Sequence, residues 1–265
     1  MFHWRRARRS TGDTSRVPAG PWRVLRRAVL WLLAAEFAAA AASFLIVLFL
    51  VLTRRFEAPH ARPGGMPVPL VYALPATVAL QATLLFADFR QARIFGQGNL
   101  RAGLGAGPVQ RRWLIAVLFV LMIAWLFTYI AVVTRFQSVA HYIARDVPQA
   151  PVLTMTGGPA LIILRVLLIA GLAPIAEELF FRGWFWTALR RYWSVWPTAL
   201  CTGGIWLSLH ALEGAVRVPI LIPAAILLSL ARHYGGSVRA SIPLHVANNL
   251  VAVSIQIAAI ASGGH

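Results

Sequence analysis

Long unbroken apolar runs, each closed by arginines or by proline and glycine, dominate the pattern along the chain. A transmembrane strand needs alternating segments of about 10 residues, whereas a helix crossing a bilayer needs roughly 20 apolar residues in succession. The runs here are continuous and long. They predict helical spans at about 28–52, 68–88, 112–134, 159–190, 195–212, 216–232 and 239–261. The fold expected is all-α, a polytopic transmembrane helix bundle of about seven spans, with eight as the alternative. The fourth run differs from the rest. Leu161 to Phe181 is nearly all apolar, yet the helical pattern continues through Trp184, Trp186 and Leu189 to Arg190-Arg191, so one long, tilted or protruding helix is expected. The first run follows an arginine-rich start, as a signal peptide would. It continues from Ala38 through Leu52, which is too long for a cleaved segment and reads as an uncleaved span.

Composition supports the membrane class. The 265 residues are 59% hydrophobic and 12% charged, with a mean hydropathy of +0.70; a soluble domain carries ~25% charged residues. The net charge of +17 rests on arginine alone. Seventeen arginines fall on one side of the expected spans and six on the other. That asymmetry puts the N-terminus in the cytoplasm and, with an odd number of spans, the C-terminus outside. Arginine-only basicity points to a GC-rich bacterial genome, and the bacterial plasma membrane is the expected location. A pI near 11.8 would also suit nucleic acid, but arginines at the ends of apolar runs answer to the bilayer, so no nucleic-acid partner is expected. Cys201 stands alone, which excludes an intramolecular disulfide and a thiolate metal cluster. The glycine-rich stretch from Gly96 to Pro108 follows no strand and lacks the G-x-G-x-x-G spacing, so it reads as a loop rather than a phosphate cradle. Residues 1–27 form a basic cytoplasmic tail, 28–150 a leader of three spans, and 151–265 hold every candidate for chemistry.

Those candidates are ionisable groups inside apolar runs, where charge is expensive. Glu177 and Glu178 are neighbours, about 100° apart on a helix, and do not face each other. Glu178 and Arg182, at i and i+4 with the acid first, make a favourable ion pair. Glu177 is left without an obvious partner on its own helix, and its free lone pairs suit a general base. Pro174 frees the carbonyl of residue 170 and bends the axis. Trp206 and His210 are spaced i, i+4 on the fifth run. His210 and Glu177 each lie 16 residues from the turn near Trp193 and Ser194, roughly 24 Å along their axes at about 1.5 Å per residue, so antiparallel packing would bring them level. His245 and Asn249 share one face of the seventh run, and two fixed donors there could hold an oxyanion. Asn248 points elsewhere and packs or caps. Glu36 and Arg165 read as packing or snorkelling residues; His3, His60, His141, His233 and His265 fall in tails, loops or helix ends.

The three motifs, Glu177-Glu178-x-x-x-Arg182, Trp206-x-x-x-His210 and His245-x-x-x-Asn249, occur in order within roughly residues 158–262. With Ala173-Pro174-Ile175-Ala176 and Gly236-Ser237-Val238 at their flanks, they resemble the CPBP family of intramembrane proteases, named for CAAX prenyl proteases and bacteriocin-processing enzymes and also called the Abi family. The resemblance implies peptide-bond hydrolysis by direct water attack, without an acyl-enzyme. It implies that Glu177 activates the water with help from His210, that His245 and Asn249 bind the oxyanion, and that Glu178 and Arg182 brace the site. Where the family usually has phenylalanine, this chain has Trp206, which keeps an aromatic wall. The resemblance implies no cofactor; membrane-associated proteins or peptides in the lipid bilayer are the expected partners. Three other readings compete. A zinc site of Glu177, His210 and His245 would leave one open position, but the H-E-x-x-H spacing is missing. A non-catalytic scaffold or bacteriocin-immunity protein would retain partners without cutting them. Transport is disfavoured because the polar positions converge instead of lining a path.

Overall fold

A computed structural model of the chain describes residues 20–53, 70–136, 158–212, 214 and 217–261. The readings of His3, His60, His141 and His265, most of the basic tail and the C-terminus lie outside those residues. Among the described residues the secondary structure is helical, without strands. Helix α1 is Pro21–Leu52, α2 is Leu70–Phe95, α3 is Leu100–Gly103 and α4 is Arg112–Arg135. A continuous helical run over 158–189, here α5, is followed by α6 (Val195–Leu212), α7 (Arg217–Gly235) and α8 (Val238–Ala261). The seven long helices stand close to the seven apolar runs. Three of them contain stretches long and apolar enough to cross a membrane: Pro21–Leu52, Arg112–Val132 and Val218–Gly235.

Helix α1 begins with a good reason in the sequence, whereas α4 starts after Arg111, which is left-handed at φ +46° and makes no side-chain cap bond. Pro21 sits in the first turn of α1, where its missing N–H costs nothing. Helix α4 is apolar on all sides between its terminal arginines, and α1 beyond Arg27 is so apart from Glu36, the pattern of a segment surrounded by other apolar groups. Phe37 on α1 is 77% exposed and Phe127 on α4 is 65% exposed, which suits contact with lipid tails.

The helix that positions the site is α5. It packs against α2, α6 and α8, while α7 packs on α4, α6 and α8. Phe180, Phe181, Trp184, Phe185 and Leu189 of α5 are fully buried beside Val24 and Ala28 of α1, Leu84, Ala87 and Phe95 of α2, and Trp206 of α6. Phe180 meets Trp184 edge-on at 5.1 Å, and Phe95 stacks on Trp184 at 6.0 Å. Lipid tails are as apolar as these side chains, so close packing rather than removal from water holds the helices together. Small residues such as Ala28, Ala87 and Ala176 permit that approach. One apolar core therefore joins the N-terminal helices to the motif-bearing ones. Helix α2 also buries Gln81, Asp88 and Gln91, polar positions that the sequence reading did not single out.

The glycine-rich stretch is a loop, as expected, but a docked one. Asn99 caps the single turn of α3 by accepting from the Ala102 N–H at 3.0 Å. Gly103 lies so close to α2 that a Cβ would strike the Ala92 carbonyl. Gly105 adopts φ +59°, where glycine is unstrained, and packs under Arg232. The loop is tied to the α7–α8 turn by three bonds. Val238 N–H donates to Gly105 O at 3.1 Å, Gln110 N–H to Gly235 O at 2.9 Å, and the Ser237 hydroxyl to Gly107 O at 2.7 Å.

Candidate active site

Two π-helical turns, Leu167–Leu172 and Leu179–Phe185, flank the short α-helical piece Ala173–Glu178 that carries both glutamates. Such turns in an otherwise α-helical segment recur at functional sites. The first has a local cause. The Ala173 N–H bonds to Leu168 O, five residues back. In that register the next N–H would reach Ile169 O, but residue 174 is proline and has none. The Ile169 carbonyl is instead satisfied from α8, where Asn249 Nδ2 donates to it at 3.0 Å. The carbonyl expected to be freed was that of residue 170; the π register moves the opening to 169. The second π turn contains Gly183 with φ −82° and ψ −107°, a break in the helical path.

The expected Glu178–Arg182 pair is present. Arg182 Nη1 donates to Glu178 Oε1 at 2.9 Å, and both side chains are completely buried. His245 Nδ1 lies 3.1 Å from the same Glu178 oxygen. A carboxylate can only accept, so Nδ1 carries the hydrogen and the other ring nitrogen faces away from Glu178. That nitrogen, Nε2, is 3.9 Å from Glu177 Oε2. The gap is too long for a direct hydrogen bond and is one that a water can span from the side. A buried ion pair costs several kcal/mol of desolvation and is retained only with good geometry and further partners. Here the second partner is the His245 ring.

Glu177 has a partner that its own helix did not reveal. The Trp206 indole Nε1–H donates to Glu177 Oε2 at 2.7 Å, and the Glu177 side chain keeps 19% of its surface exposed. The residue of α6 that meets Glu177 is thus Trp206 rather than His210, one turn nearer the connecting turn than the residue count implied. The π turn at Leu179–Phe185 and its break at Gly183 contribute to the shift, because a π turn uses more residues per turn and advances less per residue than an α turn. Sixteen residues of α5 therefore cover less height than sixteen of α6. His210 reaches the site through Trp206: the rings are 4.4 Å apart, and His210 Nδ1 lies 2.9 Å from Trp206 O. A carbonyl accepts only, so Nδ1 bears the hydrogen and Nε2 offers a lone pair.

The remaining expected residues are placed as follows. Asn249 makes its contact with Ile169 O, and its side-chain oxygen accepts from Asn248 Nδ2 at 3.2 Å; an amide carries two N–H groups, so one bond to the backbone leaves a second donor. Ser208 donates to Gly204 O at 2.8 Å, and Cys201 is half-buried in the apolar core. Arg165 is packed, with 2% exposure, and His233 is exposed at the end of α7. Glu177, His210 and His245 do not gather into a three-ligand metal cluster among the described residues. The sequence reading missed Arg232, counting it only as a topological charge. Its Nε donates to Arg182 O at 2.7 Å and its Nη2 to Thr187 Oγ1 at 3.2 Å, so it closes the end of the second π turn. An arginine at the end of an apolar run gives no sequence signal that separates this role from a membrane-flanking one.

Residues 159–251 match the family model described as Type II CAAX prenyl endopeptidase Rce1-like. The match contains all three motifs, Glu177 through Asn249. No curated protein and no solved structure matches the chain.

Proposed function

We propose, from the premise that residues 159–251 form an Rce1-like domain, that this protein is an intramembrane endopeptidase that cuts membrane-associated substrates, CAAX-type peptides among them, with water as the nucleophile. One observation carries the reading. The Glu177 carboxylate stands 3.9 Å from His245 Nε2, and His245 is oriented from behind by the buried Glu178–Arg182 pair. That is a base beside an oriented imidazole, each held by a different partner.

In the reaction, a water bound between Glu177 and His245 gives its proton to Glu177 as its oxygen attacks the scissile carbonyl carbon. The carbonyl oxygen becomes an oxyanion. His245, held through Nδ1 by Glu178, faces it with Nε2–H when the ring is doubly protonated, and the second N–H of Asn249 is the other donor. Glu177 then passes its proton to the amide nitrogen, the C–N bond breaks, and an amine and a new carboxylic acid leave, the acid giving its remaining proton to water or to the amine. His210, with Nε2 as an acceptor, assists the proton movement. No metal is needed for these steps. The long helices are read as seven spans with the N-terminus in the cytoplasm, on the strength of the arginine asymmetry.

The test is hydrolysis of a farnesylated peptide ending in Cys-aliphatic-aliphatic-X by the purified protein in detergent and in liposomes. Wild type cleaves it, Glu177→Gln does not, and a chelator leaves the rate unchanged. Loss of activity with chelator and its return with zinc would replace the water-base mechanism with the zinc one. Retention of a peptide by wild type and Glu177→Gln alike, without cleavage by either, would make the protein a scaffold.

A further inference from the structure

One side chain touches Glu177, Arg182 and both histidines of the site and has no assigned part in the chemistry. Trp206 donates its indole N–H to Glu177 at 2.7 Å. Its ring lies 5.2 Å below the Arg182 guanidinium, meets the His245 ring edge-on at 5.5 Å, and packs on His210 at 4.4 Å. It is 1% exposed, so its position is fixed by packing. We infer that Trp206 is a positioning residue: its indole N–H holds the Glu177 carboxylate in the one orientation that faces His245 Nε2, and its ring couples that carboxylate to Arg182 and His210. This rests on the endopeptidase reading given above.

The physical argument begins with freedom. A glutamate side chain has three rotatable bonds, and Glu177 has no cation on its own helix to restrain it. Left alone in a partly open site, it samples several rotamers, of which few point at the substrate water. A donor fixed in a packed core removes that freedom before the reaction begins, which is how preorganisation speeds a chemical step. The bond is charge-assisted, and so stronger than a neutral one. Indole N–H donates and cannot accept, so the contact is strongest when the Glu177 carboxyl is ionised, the state a base requires. A benzene ring in the same place would keep an aromatic face toward Arg182 and the histidines but lose the donor and part of the packing, whereas a benzothienyl ring would lose only the donor. The wall role that the sequence suggested is thus the smaller part of what tryptophan supplies here.

The experiment compares wild type with Trp206→Phe and with Trp206 replaced by 3-benzothienylalanine, an isostere whose sulfur stands where the N–H was. The first readout is kcat and KM on the farnesylated peptide. Loss of the charge-assisted bond should lower kcat about ten- to a hundredfold and leave KM within about twofold, in both variants. The second readout needs no activity. In protein labelled with 15N-tryptophan, the indole resonance that vanishes in Trp206→Phe should move upfield in Glu177→Ala. An isostere with wild-type kcat, a change confined to KM, or an indole resonance that ignores Glu177→Ala would overturn the inference. If the wild type cleaves no peptide, the endopeptidase reading fails, and the resonance alone decides whether Trp206 holds Glu177.

Discussion

Helix α4 carries no charged residue between Arg112 and Arg135 and turns Trp113, Val120 and Phe127 outward. Helix α5, of comparable length, carries Arg165, Glu177, Glu178 and Arg182 within its run and buries almost everything from Phe180 to Trp186. The two helices meet the same constraint, that charge is costly away from water, in opposite ways. Helix α4 excludes charge and needs no partner for it. Helix α5 accepts charge and recruits partners from its neighbours: the Glu178 carboxylate is answered by Arg182 and His245, Glu177 by Trp206, and the Ile169 carbonyl by Asn249. A span is a property of one segment, whereas a site is a property of several.

The comparison makes predictions of decreasing size. Glu177→Gln, which keeps the shape and removes the base, should lower kcat on the farnesylated peptide about a thousandfold or more. Phe127→Ala on α4, assayed beside it, should leave kcat within about twofold; an equal loss in both would mean the assay reads folding and not the site. Next come the ion-pair residues. Glu178→Gln or Arg182→Met leaves one buried charge unpaired and should cost about 3–5 kcal/mol in reversible unfolding in detergent, with Phe127→Ala costing less than ~0.5 kcal/mol, as for an exposed position. Making both changes together should recover part of that loss, because no lone charge is then left behind.

A smaller effect separates the π register from ordinary packing. Asn249→Ala should destabilise by about 1 kcal/mol by leaving Ile169 O without its donor. In the Pro174→Ala background the backbone supplies an N–H, so the same change should cost less, with a coupling of about 1 kcal/mol in a double-mutant cycle. Strict additivity would mean that the proline does not create the opening that Asn249 fills.

The sequence was most legible where a single helix decides. The bounds of α4 and α6 fall within a residue or two of the apolar runs that predicted them, because length and apolarity are local. The Glu178–Arg182 pair was legible for the same reason, since i, i+4 neighbours meet on any α-helix. Contacts between helices were not. That Glu177 meets Trp206 depends on how far α5 climbs, and the π turn between Glu177 and the connecting turn leaves no trace in hydrophobic periodicity. Asn249 was read as an oxyanion donor from its face on α8; that it answers Ile169 O follows from the combination of proline and π register on another helix. Arg232 and Asp88 escaped notice because charges at the ends of apolar runs are what a bilayer boundary predicts.

The central claim is that α5 and α8 bring Glu177 and His245 to one point, and proximity tests it directly. In a Cys201→Ser background, Glu177→Cys combined with His245→Cys should be joined by a short bis-methanethiosulfonate reagent in membranes, fast and in high yield, while Glu177→Cys combined with Phe127→Cys should not. Equal and slow cross-linking of the two pairs would contradict the site on which the proposed chemistry stands.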